Sequence, residues 1–252
     1  MHATTEGGAM RAVILSGSGC TADPWHPYPE TSAELAGIAR AAGFDVEIVL
    51  DPLRGLADLA DGVRVVIVNA GDPEGPLPEG APDPGEPAAE LVARAADAFD
   101  AALERGVGIL AVHSAASTLR ELPAYGEALG GRWIAGHSWH PEFGEAHVHV
   151  VGNHRIADGL EDFRVLDERY TDLPLTGVIE PIAEHEEGGI RHPLVWAREL
   201  GRSRLVYSGL GHDARSYDSA ANRDLLHRAL RWLAQVPAPS AGHGLADAGF
   251  PA

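Results

Sequence analysis

Thirteen histidines against a single cysteine set the chemistry open to this chain. Cys20 alone allows no intrachain disulfide and no cysteine-based zinc site. Imidazole serves as base, acid or metal ligand near neutral pH, and is seldom a lasting nucleophile. The most informative histidine is His113. It lies in Gly106-Val107-Gly108-Ile109-Leu110-Ala111-Val112-His113-Ser114-Ala115-Ala116, which reads as a buried strand, an abrupt turn and a helix start. Ala111 and Ala115, two positions to either side, are the small neighbours that such an elbow needs. Hydrolases and amidotransferases place Ser or Cys at this tip. His113 there is either a proton-transfer or ligating group facing a crevice, or a structural histidine bonded to backbone.

Other histidines fall near predicted strand or loop ends. His26 follows the first strand, and His137 and His140 lie three apart, sharing a face only if that piece is helical. His147 and His149 are two apart in a strand pattern and point the same way, with His154 beyond them. No HExxH signature is present. In Leu166-Asp167-Glu168-Arg169-Tyr170 a carboxylate ends a strand beside an aromatic ring, which suits a general base or hydroxyl anchor, or else a salt bridge to Arg169. Arg191 to Trp196 and Arg204 to Asp213 bring His192, Trp196 and His212 to further strand ends, with glycines that admit a ligand to the backbone. This pattern assigns His113, Glu168 and His212 to catalysis. It assigns His26, His137, Tyr170, His192 and Trp196 to substrate contact. If a divalent metal such as zinc is bound, the expected ligands are His113, His137 and His212.

Two common cofactor and nucleophile motifs are missing. Ser16-Gly17-Ser18-Gly19 does not complete GxGxxG, since Ala22 stands three after Gly19, so a dinucleotide site is not expected. There is no GxSxG, and Ser114 beside His113 is a poor substitute.

The elements that must position these residues read as α/β. Arg11 to Ser16, Phe44 to Leu50, Arg64 to Asn69 and Val107 to Val112 are apolar strand runs. A helix is expected after Glu30, with Thr31 as N-cap and Glu34 closing a capping box. Ala88 to Arg105 and Asn222 to Gln235 are amphipathic helices. The second half is richer in strands: Ala146 to Val151, Phe163 to Tyr170, Val178 to Glu184, Leu194 to Ala197 and Arg204 to Ser208. This rhythm predicts a mostly parallel, doubly wound sheet with helices on both faces. The loops after Ser16, Asn69 and Val112 then ring one crevice at the carboxyl ends of the strands. We expect one domain over residues 11–236, a flexible stretch at 1–10 and a loosely held Pro/Ala/Gly-rich tail at 237–252. Gly71 to Pro87 is an aperiodic loop that could close over the site.

Composition narrows the partners. Acidic residues outnumber basic ones 37 to 19, a net charge of −18, and there is no lysine. Nucleic-acid binding, which needs clustered cations, is not expected. No apolar run is long enough to cross a membrane, and a cytoplasmic setting fits the single cysteine. A homo-oligomer is compatible with the sequence.

Taken in order, VILSGSG with His26, GVGILAVHSA, LGGRWIAGH ending at His137, NHRIADGLEDFRVLDERY, HPLVWAR and RLVYSGLGHD resemble the ThuA-like (trehalose utilisation) family over Arg11 to Gln235. The resemblance implies a flavodoxin-like sheet similar to class I glutamine amidotransferases. With His113 in place of the amidotransferase cysteine, it also implies no glutaminase chemistry. Its name implies a small-molecule carbohydrate, a trehalose-type disaccharide or keto-sugar derivative, handled by a lyase, isomerase or hydrolase. A non-catalytic sugar-binding or regulatory protein on the same fold is the alternative. The chain departs from the family at His154-Arg155, where His-Pro is frequent, and in its expanded Gly71 to Pro87 loop.

Overall fold

The computed structural model describes residues 9–72, 79 and 85–235. Residues 1–8, 73–78, 80–84 and 236–252 lie outside the described residues, and with them most of the expected N-terminal stretch, the middle of the Gly71 to Pro87 loop and the tail.

The strands are β1 (Met10–Ser16), β2 (Phe44–Val49), β3 (Val63–Asn69), β4 (Gly108–Val112), β5 (Gly144–Val150), β6 (Phe163–Asp167), β7 (Glu180–Glu187), β8 (Ile190–Leu200) and β9 (Ser203–Ser208). The helices are α1 (Tyr28–Ala41), α2 (Pro52–Ala57), α3 (Ala89–Arg105), α4 (Pro123–Leu129) and α5 (Ala220–Leu233). Among the described residues nine strands form one sheet, in the order β2-β1-β3-β4-β9-β8-β7-β5-β6.

The sheet is parallel only from β2 to β9. From β9 through β8, β7 and β5 to β6 every pairing is antiparallel, which corrects the expectation of a mostly parallel sheet. Loop length is the reason for the β7–β8 and β8–β9 pairings. Only Gly188 and Gly189, both at positive φ, separate β7 from β8, and only Gly201 and Arg202 separate β8 from β9. Such short links make hairpins, whereas parallel neighbours need a crossover of a dozen residues or more.

Helices cover both faces of the parallel half. Leu35 and Ile38 of α1 and Leu225, Leu226 and Leu230 of α5 pack on one side. Leu53 of α2, Phe99 of α3 and Tyr125 and Leu129 of α4 pack on the other. The central strand β4 is buried at every position. Each such side chain contributes roughly 1.5–3 kcal/mol, so the strand ends that carry the site are rigid.

Local details differ from the sequence pattern. Helix α1 starts at Tyr28, because Pro29 sits in its first turn, where no N–H partner is needed. Thr31 is therefore inside the helix and returns its hydroxyl to the Pro27 carbonyl at 3.3 Å, while Glu34 pairs with Arg223 at 2.7 Å. Helices α2 and α4, of six and seven residues, are too short to register as periodicity. Among the described residues no helix is long and apolar enough to cross a membrane.

Candidate functional site

Loops leaving the carboxyl ends of β1, β3, β4 and β9 meet the turn after β6 around a cavity of about 540 Å³. Its walls include Trp25, His26, Trp133, His140, Glu168, Tyr170 and His212. His113 lies beneath them, 1% exposed, at the first position of a 3-10 turn over His113–Ala116. Its φ of +50° is uncommon for any residue but glycine, and Ala115 and Ala116 behind it are fully buried. The abrupt turn read from the sequence is present, but it leads into this four-residue 3-10 turn and not into an α-helix, and the residue at positive φ is the histidine.

Two of the imidazoles are oriented by a fixed acceptor. His113 Nδ1 donates to the Gly209 carbonyl at 2.8 Å. A carbonyl only accepts, so Nδ1 carries the proton and Nε2 presents its lone pair to the cavity. His26 Nδ1 lies 2.7 Å from Asp23 Oδ1, which leaves its Nε2 as the free nitrogen in the same way. Asp23 also accepts from the Trp25 and His26 N–H groups and from the Tyr28 hydroxyl at 2.6 Å. Gly71 is required beside this network, since a Cβ there would meet Tyr28 OH at 2.1 Å and Asp23 Oδ2 at 2.4 Å.

Glu168 closes the group. Its Oε2 is 3.1 Å from His212 Nδ1 and 3.6 Å from His113 Nε2, and its Oε1 is 3.7 Å from His140 Nδ1. The rings of His26, His113 and His212 lie 4.8–5.4 Å from one another. His26, His113, Glu168 and His212 each bring one ligand atom to within 4.8 Å of the rest. Nε2 of His26 and of His113 are buried and make no hydrogen bond among the described residues, and His212 Nδ1 meets Glu168 outside hydrogen-bond geometry. Buried polar atoms are normally paired, so two unpaired nitrogens beside an ion-paired histidine and carboxylate call for a cation or protons between them.

The neighbour of Glu168 locks the arrangement. Asp167, 1% exposed, accepts the Glu168 N–H at 2.9 Å, the Gly211 N–H at 2.8 Å, the His212 N–H at 3.1 Å and the Ser216 hydroxyl. One carboxylate therefore fixes the backbone of both Glu168 and His212. It also explains why β6 ends at Asp167 and not at Tyr170: the chain turns there to meet the loop after β9.

Electrostatics follow from burial and proximity. Burial works to raise the Glu168 carboxyl, but His113 and His212 overcome it and hold the group well below the carboxylate range. Burial pushes His113 down, with Glu168 opposing it. Burial also opposes charge on His212, but Glu168 outweighs it and raises the group. Burial raises Tyr170 far above its usual range, so its hydroxyl keeps its proton.

The structure brings His26, His113, Glu168, Tyr170 and His212 together. His137 is exposed on the turn before β5, outside the cluster, and His26 occupies the place expected for it. Trp196 is fully buried, donates to the Leu129 carbonyl at 2.9 Å and lies against Tyr207, away from the cavity. His192 faces His185 across β7 and β8 and lies 3.3 Å from Asp172. The aromatic walls are instead Trp25 and Trp133, and His140 is on the rim. Neither tryptophan stands at a strand end. The only sequence signal for His26 beyond its loop was Asp23, three residues earlier.

His185 supports the Tyr170 turn, with Nε2 3.2 Å from the Tyr170 carbonyl. Burial, reinforced by His192, pushes it down to about 4. The unfolded chain takes up a proton near pH 6.5 that the folded chain refuses until about pH 4, so stability is full above 6.5 and falls as the pH drops. Between pH 7 and pH 5 this amounts to about 2 kcal/mol. Urea midpoints at the two pH values should show that extra loss in the wild type and not in His185→Gln; equal losses would exonerate His185.

Comparisons with known proteins bear on the whole chain. The sequence profile of the ThuA family, described as trehalose utilisation, matches residues 11–233. No curated protein matches the chain. Among solved structures, a ThuA-like protein from Parabacteroides merdae superposes with a TM-score of 0.72 at 17% identity, covering 90% of each chain. A ThuA-like protein from Bacteroides uniformis gives 0.62 at 18% identity, covering 89% of this chain and 91% of that one. PurLQS from Thermotoga maritima gives 0.54 at 14%, covering 90% of this chain and 100% of that one. At these identities the likeness shows the fold, which is class I glutamine amidotransferase-like.

Proposed function

The chain belongs to the ThuA (trehalose utilisation) family, and on that premise we propose that it is an enzyme of carbohydrate catabolism whose histidine cluster holds a divalent metal ion. The observation that carries this reading is the convergence of three buried imidazole nitrogens and Glu168 on one point, two of those nitrogens making no hydrogen bond among the described residues while their opposite nitrogen is tied to a backbone carbonyl or carboxylate. That is how metal-binding histidines are held, and His26–Asp23 repeats the carboxylate–histidine pairing. The ligands would be His26 Nε2, His113 Nε2, His212 Nδ1 and Glu168 Oε2. Imidazoles with one carboxylate suit zinc and related ions. A bound ion of this kind supplies Lewis acidity toward a carbonyl or hydroxyl oxygen.

The remaining walls suit a sugar. Trp25 and Trp133 offer ring surface to the apolar faces of a pyranose, and the protonated Tyr170 hydroxyl can donate to a sugar oxygen. A keto-sugar or trehalose-type disaccharide is the substrate class we favour. Glutaminase chemistry is not part of the proposal: His113 stands at the elbow, and the only cysteine, Cys20, is in the 3-10 turn after β1.

The test is the metal content of the untagged protein by elemental mass spectrometry, beside His113→Ala, followed by a turnover screen of keto-glycosides. Near-stoichiometric metal in the wild type, falling to roughly a tenth or less in the variant, is expected. No metal in either protein would overturn the metal-assisted reading. Tight sugar binding without turnover by the loaded protein would turn the proposal toward a non-catalytic binder.

A further inference from the structure

The outer face of β5 carries a second convergence of ligating side chains that the cavity does not use. Strand periodicity sends Ala146 and Val148 into the core and leaves His147 and His149 on the solvent side. Their rings stand 4.3 Å apart. Asp162, the residue before β6, reaches over them. Its Oδ1 accepts the Val150 N–H at 2.9 Å and its Oδ2 lies 2.8 Å from His149 Nδ1. One ligand atom from each of His147, His149 and Asp162 lies within 4.8 Å of the other two. None of the three lines the cavity.

We infer that His147, His149 and Asp162 form a surface site for a borderline transition ion such as zinc or copper(II), separate from the proposed catalytic cluster. Two imidazoles and one carboxylate match these ions and not calcium or magnesium, which take oxygen ligands. The carboxylate is already anchored by the Val150 N–H, so only small side-chain rotations separate the three atoms from bond lengths of about 2.0–2.2 Å. The neighbouring cation, Arg164, faces His147 across the β5–β6 ladder, but it is paired with Glu145 and its charge is compensated. Binding at His149 Nδ1 takes the place of the proton between it and Asp162 Oδ2, and the neutral imidazole then carries its proton on Nε2. The bound ion clips β5 to the residue that enters β6 and closes the connection between them. Three protein ligands leave its remaining positions to water.

The experiment is zinc titration by calorimetry on the metal-free full chain, with the zinc-induced shift in Tm as a second readout. Four proteins are compared: wild type, His113→Ala, His147→Gln and Asp162→Asn. The substituted surface side chains are outside the core, and circular dichroism confirms the fold. The wild type should take up two equivalents. The His147→Gln and Asp162→Asn chains should each weaken one equivalent by tenfold or more and lose part of the Tm shift. If neither substitution changes stoichiometry, affinity or Tm shift, or if the His113→Ala chain binds zinc no more tightly than millimolar, the inference is overturned. An equivalent sensitive to His147→Gln but indifferent to His113→Ala upholds this site even if the cavity takes up no metal. The reverse pattern upholds the cavity and rejects this site.

Discussion

Glu168→Gln is expected to empty the histidine cluster of metal while the chain stays folded. Oε2 of Glu168 is the atom on which His113 Nε2 and His212 Nδ1 converge, at 3.6 and 3.1 Å. An amide keeps the shape but removes the only negative charge in the proposed ligand set, and a dication held by neutral donors alone is bound far less tightly. The loss should exceed the roughly 10–100-fold that outer partners contribute to metal affinity. Any turnover of a keto-glycoside should fall with it, by a factor on the order of 10³, as expected for loss of a Lewis acid. Without metal, the cost to folding is the weakened contact with His212 and its neighbours His113 and His140, roughly 1–3 kcal/mol. Elemental analysis after dialysis, beside a urea unfolding curve, separates the two effects. Full retention of metal by Glu168→Gln would remove this residue from the ligand set.

Asp167→Asn acts one residue away and should damage both the fold and the cluster. The carboxylate accepts the N–H groups of Glu168, Gly211 and His212 and the Ser216 hydroxyl from a buried position. Asparagine must place its NH₂ against at least one of those donors, leaving a buried N–H unpaired. A stability loss of about 2–4 kcal/mol follows, because charge-assisted bonds are about twice as strong as neutral ones. The larger consequence is geometric, since Glu168 and His212 are both held by this one side chain. Metal affinity should drop at least tenfold, within the range known for outer partners. Ser216→Ala is the control: it removes one hydroxyl, should cost about 1 kcal/mol and should leave metal binding near wild type. If Asp167→Asn loses stability but keeps its metal, Asp167 supports the fold alone.

The boundary between what the residues announce and what the fold arranges runs through the site. Elements with strong patterns were readable in advance. The apolar runs gave β1, β3 and β4, the amphipathic stripes gave α3 and α5, and the small residues around His113 gave the elbow. His113, Glu168 and His212 could be picked out because each follows a strand whose length is set by its own hydrophobic pattern. The antiparallel pairing of β7, β8 and β9 was implicit in the Gly188-Gly189 and Gly201-Arg202 links, since their length forbids a crossover.

Other assignments depended on the direction of side chains and the packing of loops. In β8 a run of consecutive buried residues erases the alternation that would tell one face from the other, so nothing local distinguishes a cavity-lining Trp196 from the core residue it is. His137 and His26 look alike as loop histidines. His26 enters the cluster because Asp23, Tyr28 and the absent side chain of Gly71 fix its loop against β3. Trp25, Trp133 and His140 reach the cavity on loops that carry no periodicity. The sequence by itself determined which strands exist and which chemical groups stand at their ends, because period and loop length are local properties. Only the tertiary structure decided which of thirteen histidines share a cavity, because that depends on long-range hydrogen bonds between segments far apart in the chain.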